Sequence, residues 1–355
     1  MPGFQHVPIL DWRLYELGRK SEFISQLRDA LINVGFMYLQ HPPVRPGLIE
    51  EVKQLLPRLF ELPKEEKERL KMANSPHFLG YSALGDELTK GKVDQREQFD
   101  FGTPYECIWK KGDPEYLKLW GPAQWPSEEL LPGFRNIYTT YLTQVEKLSE
   151  TFIRLVSEAL GLSPDALDVF FDRPMSSMQH RSKVVKYPPS GNSQQGVGPH
   201  TDSGFLTFLL QGSPHRGLQA QNLDGEWIDV PPIEDTLVIN LGKGLEFVTQ
   251  KIAIATTHRV LSPQQGSGDR YSVPFFQIIR QDVKLADVPL SFPLDIIDLR
   301  DARASRGAYD SVNYAEYPSL PSGEVSLIGR IKSHPDVAER HYPELFRQYF
   351  PNDTK

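Results

Sequence analysis

The chain has 355 residues, 39% of them hydrophobic and 24% charged, with a formal net charge of −7, which is an ordinary composition for a globular protein with one large core and appendages. It has no apolar run of membrane-spanning length and no Lys/Arg block, so a membrane span, a nucleic acid and an anionic membrane surface are all disfavoured as explanations. A single cysteine, Cys107, excludes an intramolecular disulfide and a cysteine-built zinc site.

Val7 to Asp11 reads as a short edge strand. From Ser21 to Val34 the apolar residues Phe23, Ile24, Leu27, Leu31 and Val34 keep helical spacing, with Gly35 as the stop, and Phe36 to Leu39 follows as a buried strand. Leu48 to Phe60 predicts a second helix despite Pro57, and Pro63 to Leu70 a charged, solvated helix face. Residues 73 to 130 lack sustained periodicity and read as an irregular segment with short strands such as Gln98 to Phe101, of the kind that covers active sites. Between Leu131 and Leu162 apolar residues recur every three or four positions (Phe134, Ile137, Tyr141, Val145, Leu148, Phe152, Leu155, Ala159), which predicts a long bracing helix. Ser163 to Phe171 reads as a short helix.

The pattern then changes to short β-rich runs separated by Gly, Pro, Asn and Asp: Lys183 to Tyr187, Phe205 to Leu210, Leu218 to Asn222, Glu226 to Val230, Thr236 to Leu241, Ile252 to Thr257 and Tyr271 to Ile279. Leu223-Asp-Gly225 is a hairpin signal. Several strands without intervening helices predict a mainly β fold with flanking helices, a closed barrel or sandwich of the jelly-roll type. From about residue 291 the chain reads as polar and irregular, ending in a modest helix around Pro335 to Phe350.

Among the histidines, His6, His41, His77, His215, His334 and His341 lie beside turns or prolines or in the polar tail and are expected to be exposed, while His180 reads as a core or cap residue. His200 and Asp202 are two residues apart, and on an extended strand they share one face. His258 closes the apolar run Ile252 to Thr257. Two histidines and one carboxylate form the set that binds non-haem Fe(II) on one face of an octahedron, although a His-x-Asp pair taken alone is an unspecific motif. Arg270 and Ser272 also share a strand face, and an inward guanidinium there requires an anion such as a carboxylate; an exposed strand-end Arg is the alternative. Lys183 and Tyr187 alternate onto one face, so Lys183 either reaches solvent or anchors a substrate carboxylate. Phe99 and Phe101, with Tyr105 and Trp125, could pack on an apolar ligand or simply on the core. Phe276 is a further candidate pocket residue.

His200-Thr-Asp202, Thr257-His-Arg-Val260, Arg270-Tyr-Ser272 and Lys186-Tyr-Pro188, in this order, resemble the isopenicillin N synthase-like branch of the Fe(II)/2-oxoglutarate-dependent dioxygenases. So do Val7 to Asp11, Val34 to Leu39, Phe60 to Lys64, Gly80-Tyr81 and Asp94 to Gly102, so that the resemblance spans residues 7 to about 280. It implies a double-stranded β-helix in which His200, Asp202 and His258 ligate Fe(II). It also implies that Arg270, Ser272 and Tyr187 hold the distal carboxylate of 2-oxoglutarate, and that O2 is the co-oxidant, with succinate and CO2 released. Val185 and Lys243 stand where many members have Asn and Asp.

The implied division is an N-terminal region at 1–125, bracing helices at 126–175, the catalytic core at 176–290 and a C-terminal extension at 291–355. Lys183, Phe99, Phe101 and Phe276 are the expected substrate contacts. A monomer acting on a small molecule by hydroxylation, desaturation or cyclisation is expected, with neither nucleic acid nor membrane as partner. Cytoplasmic location is the default, because the N-terminus shows no signal or transit pattern. An oxidase that does not use 2-oxoglutarate, an ethylene-forming oxygenase and a metal-free binding protein remain the alternatives.

Overall fold

The longest apolar stripe in the sequence folds into the longest helix, which braces the larger of two sheets. The computed structural model describes residues 3–89, 92–190, 195–303, 314 and 316–351. Its helices are α1 (Arg13–Glu16), α2 (Lys20–Asp29), α3 (Leu48–Phe60), α4 (Lys64–Arg69), α5 (Phe134–Ala159), α6 (Lys243–Val248), α7 (Leu294–Asp301), α8 (Ser322–Ser333), α9 (Pro335–His341) and α10 (Pro343–Tyr349). The strands are β1 (Ile9–Asp11), β2 (Phe36–Gln40), β3 (Gly80–Ser82), β4 (Leu88–Thr89), β5 (Lys92–Val93), β6 (Glu97–Gly102) and β7 (Arg181–Tyr187), continuing with β8 (Gln195–His200), β9 (Leu206–Gln211), β10 (Leu218–Gln221), β11 (Trp227–Asp229), β12 (Thr236–Leu241), β13 (His258–Leu261) and β14 (Arg270–Phe276).

Two sheets face each other in a jelly-roll core. The larger runs in the order β1-β2-β12-β9-β14-β7-β6-β3, the smaller in the order β11-β10-β13-β8, and β4 and β5 form a separate hairpin. Strands from the N-terminal part therefore complete both edges of the large sheet. Helix α5 braces that sheet and packs on α2 and α3, burying Phe134, Tyr138, Tyr141, Val145, Leu148 and Phe152. Gly35, at φ 68°, ends the turn after α2, and a Cβ there would lie 2.3 Å from the carbonyl oxygen of Ile254, so only glycine allows this close approach. The Asn222–Gly225 turn joins antiparallel β10 and β11 as its sequence predicts. No helix among the described residues is long and apolar enough to cross a membrane.

Four expectations are corrected. Ile252–Thr257 is not a strand: its amide and hydroxyl groups bond to the end of the α2 region (Ile254 N–H to Leu31 O at 3.1 Å, Thr256 Oγ1 to Val34 O at 2.6 Å) instead of to a sheet. The strand begins at His258. Ser163 to Phe171 holds only a single 3₁₀ turn, Asp168–Phe170. Gly196-Val-Gly-Pro199, whose glycines and proline read in the sequence as turn residues before His200, is strand; a Cβ on Gly196 would meet the Tyr187 ring at 2.8 Å, so the glycine permits strand-to-ring contact. The C-terminal part is more helical than predicted, because α8 mixes Ser, Gly and charge with its apolar residues and presents no strong stripe.

Helix α5 also carries an unmatched acid. Glu146 Oε1 is buried without a hydrogen-bond partner and lies 3.9 Å from His180 Nε2. His180 accepts the Ile278 N–H through Nδ1, and burial keeps its imidazole neutral. Burial, then the charge of Glu150, push the Glu146 carboxyl up from 4.5 to about 7. A raised carboxyl pKa contributes stability that is complete below the unfolded value of 4.5 and is lost as pH rises through 7. Glu146→Gln is expected to remove on the order of 1–2 kcal/mol of that decline, allowing for partial solvation. Thermal melts of both proteins from about pH 4.5 to about pH 8 check this, and parallel curves would contradict it.

Candidate metal centre

His200 is the last residue of β8 and His258 the first of β13, and the two are direct partners in the antiparallel register of the small sheet. Their ring centroids are 4.3 Å apart. Asp202 lies just beyond the strand, in the turn before β9. That turn is held by the main chain at the start of α6, where Lys243 N–H donates to Asp202 O at 2.8 Å and Gly244 N–H to Ser203 O at 3.0 Å. The shared face expected from strand alternation is thus produced by a turn, and α6 was not foreseen.

One ligand atom from each of His200, Asp202 and His258 lies within 4.8 Å of the others. Asp202 Oδ1 is 3.8 Å from His200 Nε2 and 3.9 Å from His258 Nε2. Each imidazole donates Nδ1–H to a carbonyl two residues upstream, His200 to Gly198 O (2.8 Å) and His258 to Thr256 O (3.1 Å), so both Nε2 lone pairs point at the cluster. Asp202 Oδ2 accepts from Thr207 Oγ1 (2.5 Å) and Asn240 Nδ2 (2.7 Å), which orients Oδ1 toward the imidazoles. Burial, then the neighbouring His258, push the His200 pKa down. Burial works against ionisation of Asp202, yet His258, His200 and the two hydrogen bonds outweigh it and hold the carboxyl below its usual range. Two neutral imidazoles and one carboxylate with oriented lone pairs fit a divalent cation. Thr207 and Asn240 were missed in the sequence; each is a polar residue flanked by apolar ones within its strand, which is the local signal they carry.

Two cavities meet at this cluster. One, about 220 Å³, runs inside the barrel past Val185, Val197, Leu209 and Phe276 to Arg270, Ser272 and Tyr187. Tyr187 and Arg270 are register partners on β7 and β14, and the guanidinium lies 5.0 Å from the Tyr187 ring. Arg270 is 1% exposed. Its Nε and Nη1 have no hydrogen-bond partner, and Nη2 donates to Gln211 Oε1 at 3.3 Å. A buried guanidinium with two unspent donors is costly unless an anion joins it, so this end of the cavity fits a carboxylate.

Of the predicted substrate contacts, Phe276 lines this cavity. Phe99 and Phe101 do not: both are fully buried in an aromatic cluster with Tyr81, Trp125, Phe134 and Tyr138 on the far side of β6, where core packing claims them. Lys183 borders the cavity, but its ammonium is 3.3 Å from both Glu87 Oε1 and Asp100 Oδ1. Glu87 also accepts from Gln98 Nε2 (2.6 Å), pairs with Arg96 and lies 2.9 Å from His334 Nε2. His334, expected to be exposed, is therefore buried, and so is His77.

The second cavity, about 380 Å³, opens from His200 and Asp202 toward α8, with Leu119, Trp120, Ile278 and Ile279 as apolar wall and Arg181 and Arg330 as charged groups. Tyr314 from the tail segment 313–317 also lines it; Asn313 and Ala315 lie outside the described residues.

Residues 7–128 match the model described as the non-haem dioxygenase in morphine synthesis N-terminal, and residues 176–278 match that of the 2OG-Fe(II) oxygenase superfamily. The chain is 45% identical to the 2-oxoglutarate-dependent dioxygenase frbJ of Dothideomycetidae sp., over 97% of this chain and 94% of that protein. It is 34% identical to a 2-oxoglutarate-dependent dioxygenase of Gibberella zeae, over 97% and 93%. Among solved structures, a full-length Neurospora crassa protein in complex with alpha-KG and thymine superposes with a TM-score of 0.66 at 26% identity, covering 78% of this chain and 87% of that one.

Proposed function

Since this chain belongs to the 2OG-Fe(II) oxygenase superfamily and is a 2-oxoglutarate-dependent dioxygenase using Fe(II), we propose which of its residues do the work. His200, Asp202 and His258 ligate the iron. Arg270, Ser272 and Tyr187 hold the distal carboxylate of 2-oxoglutarate, and a small molecule occupies the cavity toward α8. The observation that carries this reading is the pairing, within one cavity of about 220 Å³, of the oriented His-Asp-His cluster with the buried Arg270 guanidinium, whose Nε and Nη1 have no hydrogen-bond partner.

When bound, iron and 2-oxoglutarate supply the oxidising power, with O2 consumed, succinate and CO2 released and a substrate C–H bond oxidised. The protein's own part is positioning. Gly198 and Thr256 carbonyls fix the two imidazole tautomers, and Thr207 with Asn240 holds Asp202. The apolar walls Val185, Val197, Leu209 and Val260 keep water from the cosubstrate. The four-part division at 125, 175 and 290 belongs to the same reading, as does a monomer, since one chain provides all six residues.

Succinate formation dependent on both Fe(II) and 2-oxoglutarate tests the reading, and Fe(II) bound without any 2-oxoglutarate affinity would favour the oxidase alternative instead. Removing an orienting partner has a graded effect: Asn240→Ala is expected to weaken metal affinity about 10–100-fold, as loss of outer-shell support does in other metal sites, with the fold retained. Metal titration by calorimetry checks this.

A further inference from the structure

The cavity toward α8 has an uneven charge. Among the described residues lining it, the carboxylate is Asp202, which faces the metal cluster, while Arg181 and Arg330 supply two guanidinium groups. Arg181 is buried, and its Nη atoms donate to main-chain carbonyls: Nη1 to Phe78 O (3.0 Å), Nη2 to His77 O (2.7 Å) and Leu119 O (2.8 Å). That fork is spent. Arg330 is different: among the described residues its nearest acid is Asp100, with Nη1 3.8 Å from Oδ1, beyond hydrogen-bond length. Asp100 is already engaged by Gln98 Nε2 at 2.8 Å and by Lys183 at 3.3 Å. Burial, then the nearby Arg330, push the Arg181 pKa down to about 9, with Asp100 acting in the opposite direction.

Helix α8 brings Arg330 to the cavity on a face that is otherwise small. Ser322, Ser326, Gly329 and Ser333, spaced four, three and four apart, share that face and leave room beside the guanidinium. The hydroxyls of Ser322 and Ser333 are used on main-chain carbonyls, Arg280 O and Gly329 O. One fork with unspent donors, above an apolar wall, matches one carboxylate on an apolar body. A phosphate dianion would leave a second negative charge facing Asp100 and Asp202.

We propose that the substrate of this enzyme is an amphiphilic carboxylate whose anionic group is bound by Arg330 on α8 while its apolar part lies along Leu119, Trp120 and Ile278 toward His200 and Asp202. Arg330 is thus a specificity-determining residue. This rests on the reading of the His200-Asp202-His258 cluster as the metal site.

The test uses the full chain with Mn(II) in place of iron and saturating 2-oxoglutarate, which blocks Arg270, and follows relaxation of probe protons by the metal. Octanoate and octanamide are the probes, equal in length and different in charge. Octanoate is expected to bind about tenfold or more tightly than the amide. Arg330→Gln should lower octanoate affinity to the level of the amide, and Arg330→Lys should keep most of it. Separate Mn(II) and 2-oxoglutarate titrations report on the metal-site reading independently, and unchanged 2-oxoglutarate affinity in the variants shows an intact fold. Equal binding of acid and amide to the wild type, absence of octanoate binding, or an Arg330→Gln variant that binds octanoate normally overturns the proposal. If Arg330→Gln does not fold, the acid and amide comparison and the Lys variant still decide.

Discussion

Asp202→Ala is expected to abolish metal binding and, with it, succinate formation. Asp202 contributes the single carboxylate of the cluster, and its removal leaves two imidazoles 4.3 Å apart with no charged ligand between them. Loss of an outer-shell partner alone costs about 10–100-fold in metal affinity, so loss of this ligand should exceed about a hundredfold. It also leaves Thr207 Oγ1 and Asn240 Nδ2 without their shared acceptor. Metal titration and succinate assay on the same preparation check the outcome, with a thermal melt to show that the apo chain still folds. A variant that binds Fe(II) with wild-type affinity would remove Asp202 from the ligand set.

The second large effect concerns Arg270 and has opposite signs in two measurements. Arg270→Met should lower 2-oxoglutarate affinity by about 30-fold or more, because truncating one partner of a buried charge pair costs about 2–5 kcal/mol. Without cosubstrate the same variant should be more stable than the wild type, by on the order of 1–4 kcal/mol, since a buried guanidinium with two unpartnered nitrogens gives way to an apolar side chain of similar length. Adding metal and 2-oxoglutarate should therefore raise the melting temperature of the wild type far more than that of the variant. If both proteins gain equally, Arg270 does not hold the cosubstrate.

The proposed residues of the centre stood out in the sequence because they combine a resemblance to the dioxygenase family with chemistry that few residue types can supply. His200, Asp202, His258, Arg270 and Ser272 are polar or charged residues beside apolar β runs, where an unpaired charge needs a purpose. The supports were less visible. Thr207 and Asn240 differ from ordinary strand residues only in what they face, and that depends on β9 and β12 lying next to each other in the large sheet. Lys183, Phe99 and Phe101 show the reverse problem. Alternation along β6 and β7 says which residues share a face but not which face meets the cavity, and the sheet turns the two phenylalanines into the core while Glu87 and Asp100 capture the lysine ammonium.

The fold class, the long brace α5 and most strands of the barrel were legible in the order of the amino acids, because hydrophobic periodicity is a local property, whereas the proposed metal and cosubstrate residues were marked by their resemblance to the dioxygenase family. Three features emerge only once the chain is folded: Asp202 reaches the histidines from a turn pinned by α6, Arg270 keeps two nitrogens without a hydrogen-bond partner inside the barrel cavity, and α8 brings Arg330 from far downstream in the chain to the cavity that opens from His200 and Asp202. Those features depend on long-range packing, which no window of sequence contains.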